Sequence, residues 1–248
     1  MQITANSLYR DSRNFFQHQL ITLILIALLA AAADSILIHC LINNNTEQLI
    51  ISERNNIQDY SSFKMINNIS SEQKYKLLRN FILVNFCELV GNTFLLGGVL
   101  YLIPAVSKKK QVSLSGAMNE LISFLPNLIV LILLINIITQ IGFMMLIFPG
   151  ILLTALLSMS PIILVNDKIG IFESINNSIN IVLKNINIIA PVITLCLLSK
   201  IICIIFFSFM SMFSENLMLF LFIVVKNLII TFMIVYLYRF YILLNKQF

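Results

Sequence analysis

The chain has 248 residues, 59% of them hydrophobic and 11% charged, and its mean hydropathy is +0.94. A soluble domain carries roughly 25% charged residues. With about half that supply and apolar residues in blocks of roughly twenty, a length that crosses a bilayer, the chain is excluded from the soluble classes and has lipid as its solvent.

The first apolar block runs from Leu20 to Ile42, after nineteen mostly polar residues that include Arg10 and Arg13. Ala31-Ala32-Ala33 before Asp34 has the small-residue look of a signal-peptidase site. Apolar sequence resumes at Ile36 and the leader is long, so a retained first span is the expectation over a cleaved signal. Residues 43–80 form a polar segment, placed in an outer loop. Ser70 and Gln73 have capping-box spacing, so a helix is expected near Ser71, running into a second span, Phe81 to Ile103, that stops at Pro104 and the lysine run Lys108–Lys110.

No charge occurs in the 46 positions between Glu120 and Asp167. At 1.5 Å per residue this is about 69 Å of helix, two hydrocarbon thicknesses. Pro149-Gly150 is the strongest turn signal there, which predicts a hairpin of a third span, Leu125 to Ile147, and a short fourth, Gly150 to Val165. Spans at Ile188–Met210 and Leu217–Tyr238 follow, joined by a turn around Ser211–Asn216. The whole is expected to be one all-α integral membrane domain, a bundle of six transmembrane helices.

Six spans put both termini on one side. With the termini cytoplasmic, the inner side holds nine basic residues (Arg10, Arg13, Lys108, Lys109, Lys110, Lys168, Lys184, Arg239, Lys246), against five (Arg54, Lys64, Lys74, Lys76, Arg79) in the long outer loop. The positive-inside rule therefore places the termini in the cytoplasm. This accounts for the net charge of +5 without nucleic acid, since no aromatic side chains interleave with the lysine run as they would on a single-strand platform.

Each odd-numbered span is preceded by a segment with helical apolar spacing. Before the first these are Ala5, Leu8, Tyr9, Phe15 and Phe16; before the third, Leu114, Ala117, Met118, Leu121 and Leu125. Before the fifth, Ile171, Phe172, Ile175, Ile179, Val182, Leu183 and Ile186 stand opposite Glu173, Asn176, Asn177, Asn180 and Lys184. Helices of this kind lie flat at the interface, and three cytoplasmic interfacial helices are expected. A threefold repeat of interfacial helix, span, turn and span is one reading. The other is that any connector beside a membrane tends to be amphipathic.

Four ionisable residues stand inside the apolar blocks. Asp34, Glu88, Lys200 and Lys226 lie about 8, 7, 10 and 9 residues from the outer ends of their spans, or roughly 10–15 Å deep at 1.5 Å per residue. A lone charge in lipid costs at least about 2.5–3.5 kcal/mol. Two acids and two bases at one level can offset that cost by pairing, if the first, second, fifth and sixth spans meet. The cluster is then either a polar site or ion path, or structural glue with snorkelling lysines.

Other chemistry is sparse. His18 and His39 form no metal-ligand spacing, and the cysteines (Cys40, Cys87, Cys196, Cys203) lie in apolar stretches with no CxxC pair, so neither a metal nor a disulfide framework is expected. No nucleotide-binding or hydrolase motif occurs, so neither a cofactor nor enzymatic activity is expected. Gly91 and Gly97-Gly98 read as close helix packing, and Pro126, Pro161 and Pro191 as kinks.

Several motifs together resemble the YciC-type family of multi-pass inner-membrane proteins of Gram-negative bacteria. They are Ile3-Thr4-Ala5-Asn6-Ser7-Leu8-Tyr9-Arg10-Asp11 with Asn14-Phe15-Phe16, Gly91-Asn92, Gly97-Gly98, and Gln140-Ile141-Gly142 before Pro149-Gly150-Ile151. Asp167-Lys168-Ile169-Gly170-Ile171-Phe172, Ala190-Pro191 and Tyr238-Arg239-Phe240-Tyr241 complete the set. The likeness covers nearly the whole chain apart from residues 43–80. The resemblance implies a location and a topology, and carries no catalytic residues with it. The sequence thus leaves two expectations: a transport or envelope-maintenance component using the charged cluster, or a non-transporting, lipid-interacting scaffold using the interfacial helices.

Overall fold

The computed structural model describes residues 5–41, 71–107, 114–209 and 215–245. They form nine helices: α1 (Ala5–His18), α2 (Leu20–Leu41), α3 (Ser71–Ser107), α4 (Leu114–Met145), α5 (Ile147–Leu157), α6 (Ser160–Asp167), α7 (Ile171–Lys184), α8 (Ile186–Phe209) and α9 (Glu215–Asn245). Six stretches are long and apolar enough to cross a bilayer: Leu20–Leu41, Leu78–Ile103, Phe124–Met145, Ile147–Asp167, Ile186–Phe207 and Leu217–Asn245. Their outward faces carry side chains such as Ile21, Leu29, Leu198 and Ile202, each more than half exposed. Only acyl chains can solvate such a surface. Most of the 43–80 loop, the lysine run and the turn between the last two spans lie outside the described residues.

The last helix, α9, is the post around which the others stand. It packs on α1, α2, α3 and α8. In its C-terminal half Ile234, Val235, Tyr236, Leu237 and Tyr238 are all buried, and a helix apolar on every side belongs in the centre. Buried tyrosines need partners for their hydroxyls. Tyr236 donates to the Ile188 carbonyl at 3.2 Å, Tyr238 to Asn166 Oδ1 at 2.9 Å, and Tyr241 to Asp167 Oδ1. These contacts tie α9 to α6 and α8 at the termini end of the bundle.

Helix α2 turns one face to α3 and α9, through Leu23, Ala27, Ala30, Ala31 and Asp34. The small alanines let backbones approach, which is how helices associate where no hydrophobic gradient drives them. α3 extends to Ser107, three residues beyond Pro104, which falls in its last turn.

The hairpin differs from the sequence expectation. The chain reverses at Leu146, whose backbone is extended (φ −162°, ψ 158°), and Pro149-Gly150 sits in the first turn of α5. Proline is tolerated there because first-turn N–H groups have no helical partner in any case. The glycines serve contact between the helices: a Cβ on Gly142 would lie 3.1 Å from Gly150 Cα and 2.7 Å from Leu153 Cδ1.

The fourth span is also corrected, from one short helix to two. α5 and α6 are interrupted at Ser158-Met159, just before Pro161, which offers no N–H to the Leu157 carbonyl. Ser178 of α7 donates to the neighbouring Leu156 carbonyl at 2.6 Å. Two segments, α1 and α7, precede their spans as separate helices. Before the third span the helix is continuous from Leu114 to Met145, so no separate element stands there, and the uniform threefold unit is not seen. α7 packs along α5 and α6 through Ser174, Ser178 and Val182, while Phe172 (80% exposed) and Leu183 are left outward. The expected apolar stripe is therefore split, with the seam made by serines small enough to let helices touch.

α1 lies against α9 instead of standing alone. Leu8, Ser12 and Phe15 are buried, Tyr9 and Phe16 make edge contacts with Phe232 at 6.0 and 5.7 Å, and the Arg239 guanidinium stacks over Phe15 at 4.5 Å. Such a cation–π contact gains when it is desolvated.

Candidate functional site

Asp34 on α2, Glu88 on α3, Lys200 on α8 and Lys226 on α9 all line one cavity of about 350 Å³. They stand at one level. Asp34 is seven residues from Leu41, Lys200 seven from Phe207, Lys226 nine from Leu217 and Glu88 ten from Leu78, which is about 10–15 Å inside the ends of the spans at 1.5 Å per residue. Ile38, Val84, Cys203, Ile204, Leu219 and Phe222 complete much of the wall.

The spans do not all meet as a four-way contact. α2, α3 and α9 pack on one another, and α8 packs on α9 and α5 without an extensive contact to α2 or α3. The cavity is the gap that results. Toward the termini it is shut, where Asn227, Ile230 and Thr231 are buried in the α9 seam.

The charges are not equivalent. Lys226 Nζ donates to Glu88 Oε1 at 3.1 Å, the lysine side chain 14% exposed and the glutamate 42%. Asp34 is 1% exposed, and neither carboxylate oxygen has a donor. It lies against Gly91 of α3, where a Cβ would occupy the space of the carboxylate itself. The Gly91 amide, already bonded within its own helix, is the donor nearest the carboxylate and does not meet it with good hydrogen-bond geometry. Burying a carboxylate without partners is costly, and Lys226 and Glu88 are the charges within its electrostatic reach. Lys200 has no direct ion pair among the described residues, and it too stands within reach of Glu88 and Lys226. The order across the cavity is thus an unpaired carboxylate, a closed pair and an unpaired ammonium.

Cys203 also faces this cavity, and Cys196, two turns along α8, is buried. In the sequence both looked like ordinary apolar residues. Nothing in the residue pattern separates them, because only the stand-off of α8 from α3 decides which thiol meets the gap. A second cavity of about 310 Å³ lies at the termini end, lined by Asp167, Asn177, Asn180, Tyr241 and Asn245 among others. Its signal in the sequence was Asp167 directly after an uncharged block. Both histidines are exposed.

A six-span helical bundle with ionisable side chains gathered inside its apolar region is a polytopic integral membrane protein. The chain belongs to UPF0259, described as an uncharacterised protein family, whose model matches residues 1–243. It is 37% identical to a UPF0259 membrane protein of Pectobacterium carotovorum over 99% of this chain and all of that one, and 36% identical to one of Buchnera aphidicola over the full length of both. A Yersinia pestis relative is 33% identical over 99% of this chain and 97% of its own. These agree with the YciC-type resemblance of the motifs. No solved structure is significantly similar to the chain.

Proposed function

We propose that this is a non-enzymatic bacterial inner-membrane protein, both termini cytoplasmic, that takes a charged-group ligand into the cavity in the outer half of the bilayer, as a transport component does. The observation that carries this reading is the unequal pairing around the cavity: Asp34 and Lys200 are left without partners where simple structural glue would close two pairs. The orientation is supported by the basic residues at the termini end, Arg10, Arg13, Lys168, Lys184 and Arg239, against Lys74, Lys76 and Arg79 among the described residues at the other.

The test uses a native thiol. A thiolate is the reactive form and needs water to form. In the reconstituted protein a small, water-soluble thiosulfonate added from outside is expected to modify Cys203 and spare Cys196. If Cys203 is as inert as Cys196, the charges are sealed and the transport reading falls. The scaffold alternative, which Phe172 and Leu183 on the outward edge of α7 favour, would then be preferred.

A further inference from the structure

We infer that the cavity admits its ligand sideways from the bilayer and that this ligand is the head of a phospholipid bearing a primary amine. The inference rests on the proposed ligand site and adds the ligand's class and its route.

The route follows from the rim. Val84 of α3 is 40% exposed, Ile204 of α8 54% and Leu219 of α9 42%, and all three line the cavity. They sit within the spans, where an exposed side chain faces acyl chains. The gap between α3 and α8 therefore opens onto lipid. A ligand passing that mouth keeps an apolar part outside and carries its polar part in. The cavity is within the range, roughly 300–1,000 Å³, of pockets that hold small molecules.

The head's chemistry follows from the charges. Two acids and two bases sum to zero, so a ligand with net charge would leave that charge uncompensated in hydrocarbon, which is expensive. A zwitterion does not. Its cationic group belongs at Asp34, whose oxygens lack donors, and its anionic group at Lys200. Asp34 needs N–H bonds, and a primary ammonium has three while a quaternary one has none. A phosphodiester is a fitting acceptor for the lysine ammonium. Phosphatidylethanolamine has this chemistry; phosphatidylcholine lacks the donors and phosphatidylglycerol the cation. Free phosphoethanolamine shares the head without the acyl chains.

The full-length protein, purified in detergent with an equimolar mixture of phosphatidylethanolamine, phosphatidylcholine and phosphatidylglycerol, is examined by native mass spectrometry. The ethanolamine lipid should be retained about tenfold over either competitor, the worth of one hydrogen bond to a charged group. Asp34→Asn and, independently, Lys200→Met should each abolish the preference, so that a folding failure of one leaves the other to decide. Equal retention of the three lipids, or a preference that survives both substitutions, would overturn the inference. Displacement of the lipid by millimolar free phosphoethanolamine would overturn the lipid route and leave a soluble zwitterion as ligand. Any of the overturning results obtained with Cys203 open to water removes the lipid and leaves the ligand site standing; a Cys203 that stays inert in protein stripped of bound lipid removes the site.

Discussion

Gly91→Ala should destabilise the protein by about 1–3 kcal/mol, the usual range for forcing volume into a packed site, and Asp34→Ala in the same chain should return much of that loss. The new Cβ falls where the Asp34 carboxylate lies, so the side chain must leave its place between α2 and α3 or the helices must part. Ordinarily a second substitution adds to the damage of the first. Here the two share one contact, and residues in contact couple. Removing the carboxylate makes room for the methyl group and also deletes a buried anion without donors. Unfolding in mixed micelles, compared across the wild type, both singles and the double, checks this. Additive losses would mean that α3 and α2 do not meet at this point.

The second large effect concerns the closed pair. Lys226→Met removes the partner of Glu88. A hydrogen bond between helices in a bilayer is worth about 0.6 kcal/mol on average, at most about 1.7, whereas an unpaired charge there costs about 2.5–3.5 kcal/mol. The stranded glutamate therefore dominates the loss. Its side chain is 42% exposed, which keeps the expected destabilisation nearer the lower end of that range. The sign of the rescue separates the two terms. Glu88→Gln added to Lys226→Met should restore most of the stability, because the charge that the first substitution strands is then removed. If the lost bond were the main term, the double variant would be no more stable than the single. The same unfolding titration reads both outcomes.

How far the sequence could be read depended on the kind of signal. A charge inside an oily block stands out, and counting at a fixed rise converts its position into a depth, so the common level of Asp34, Glu88, Lys200 and Lys226 was legible. Their shared cavity was not. It depends on α8 standing away from α2 and α3, and the lipid-facing and protein-facing sides of α8 are equally apolar. The reversal at Leu146 carried no mark, because in a membrane hairpin an extended leucine can turn the chain, while Pro149-Gly150 three residues later announced a turn that is a helix start. The break at Ser158-Met159 had half a signal in Pro161. The other half is Ser178, 22 residues on from Leu156. On α7 the amphipathic pattern pointed to a helix lying flat with its apolar face toward lipid, and the helix instead packs on the bundle through Ser174, Ser178 and Val182. Where two helices touch closely in lipid, small side chains make the seam.

That α2 and α8 face each other across a gap, with the charges around it, is the claim on which site, ligand and route all depend. A short bifunctional thiosulfonate applied to the chain with Ile38→Cys and native Cys203 as its only thiols tests it most directly, since both positions line the cavity from helices without extensive contact. The expected product is an intramolecular bridge, found as one peptide mass joining α2 to α8. Modification of both thiols with no bridge between them would contradict the account.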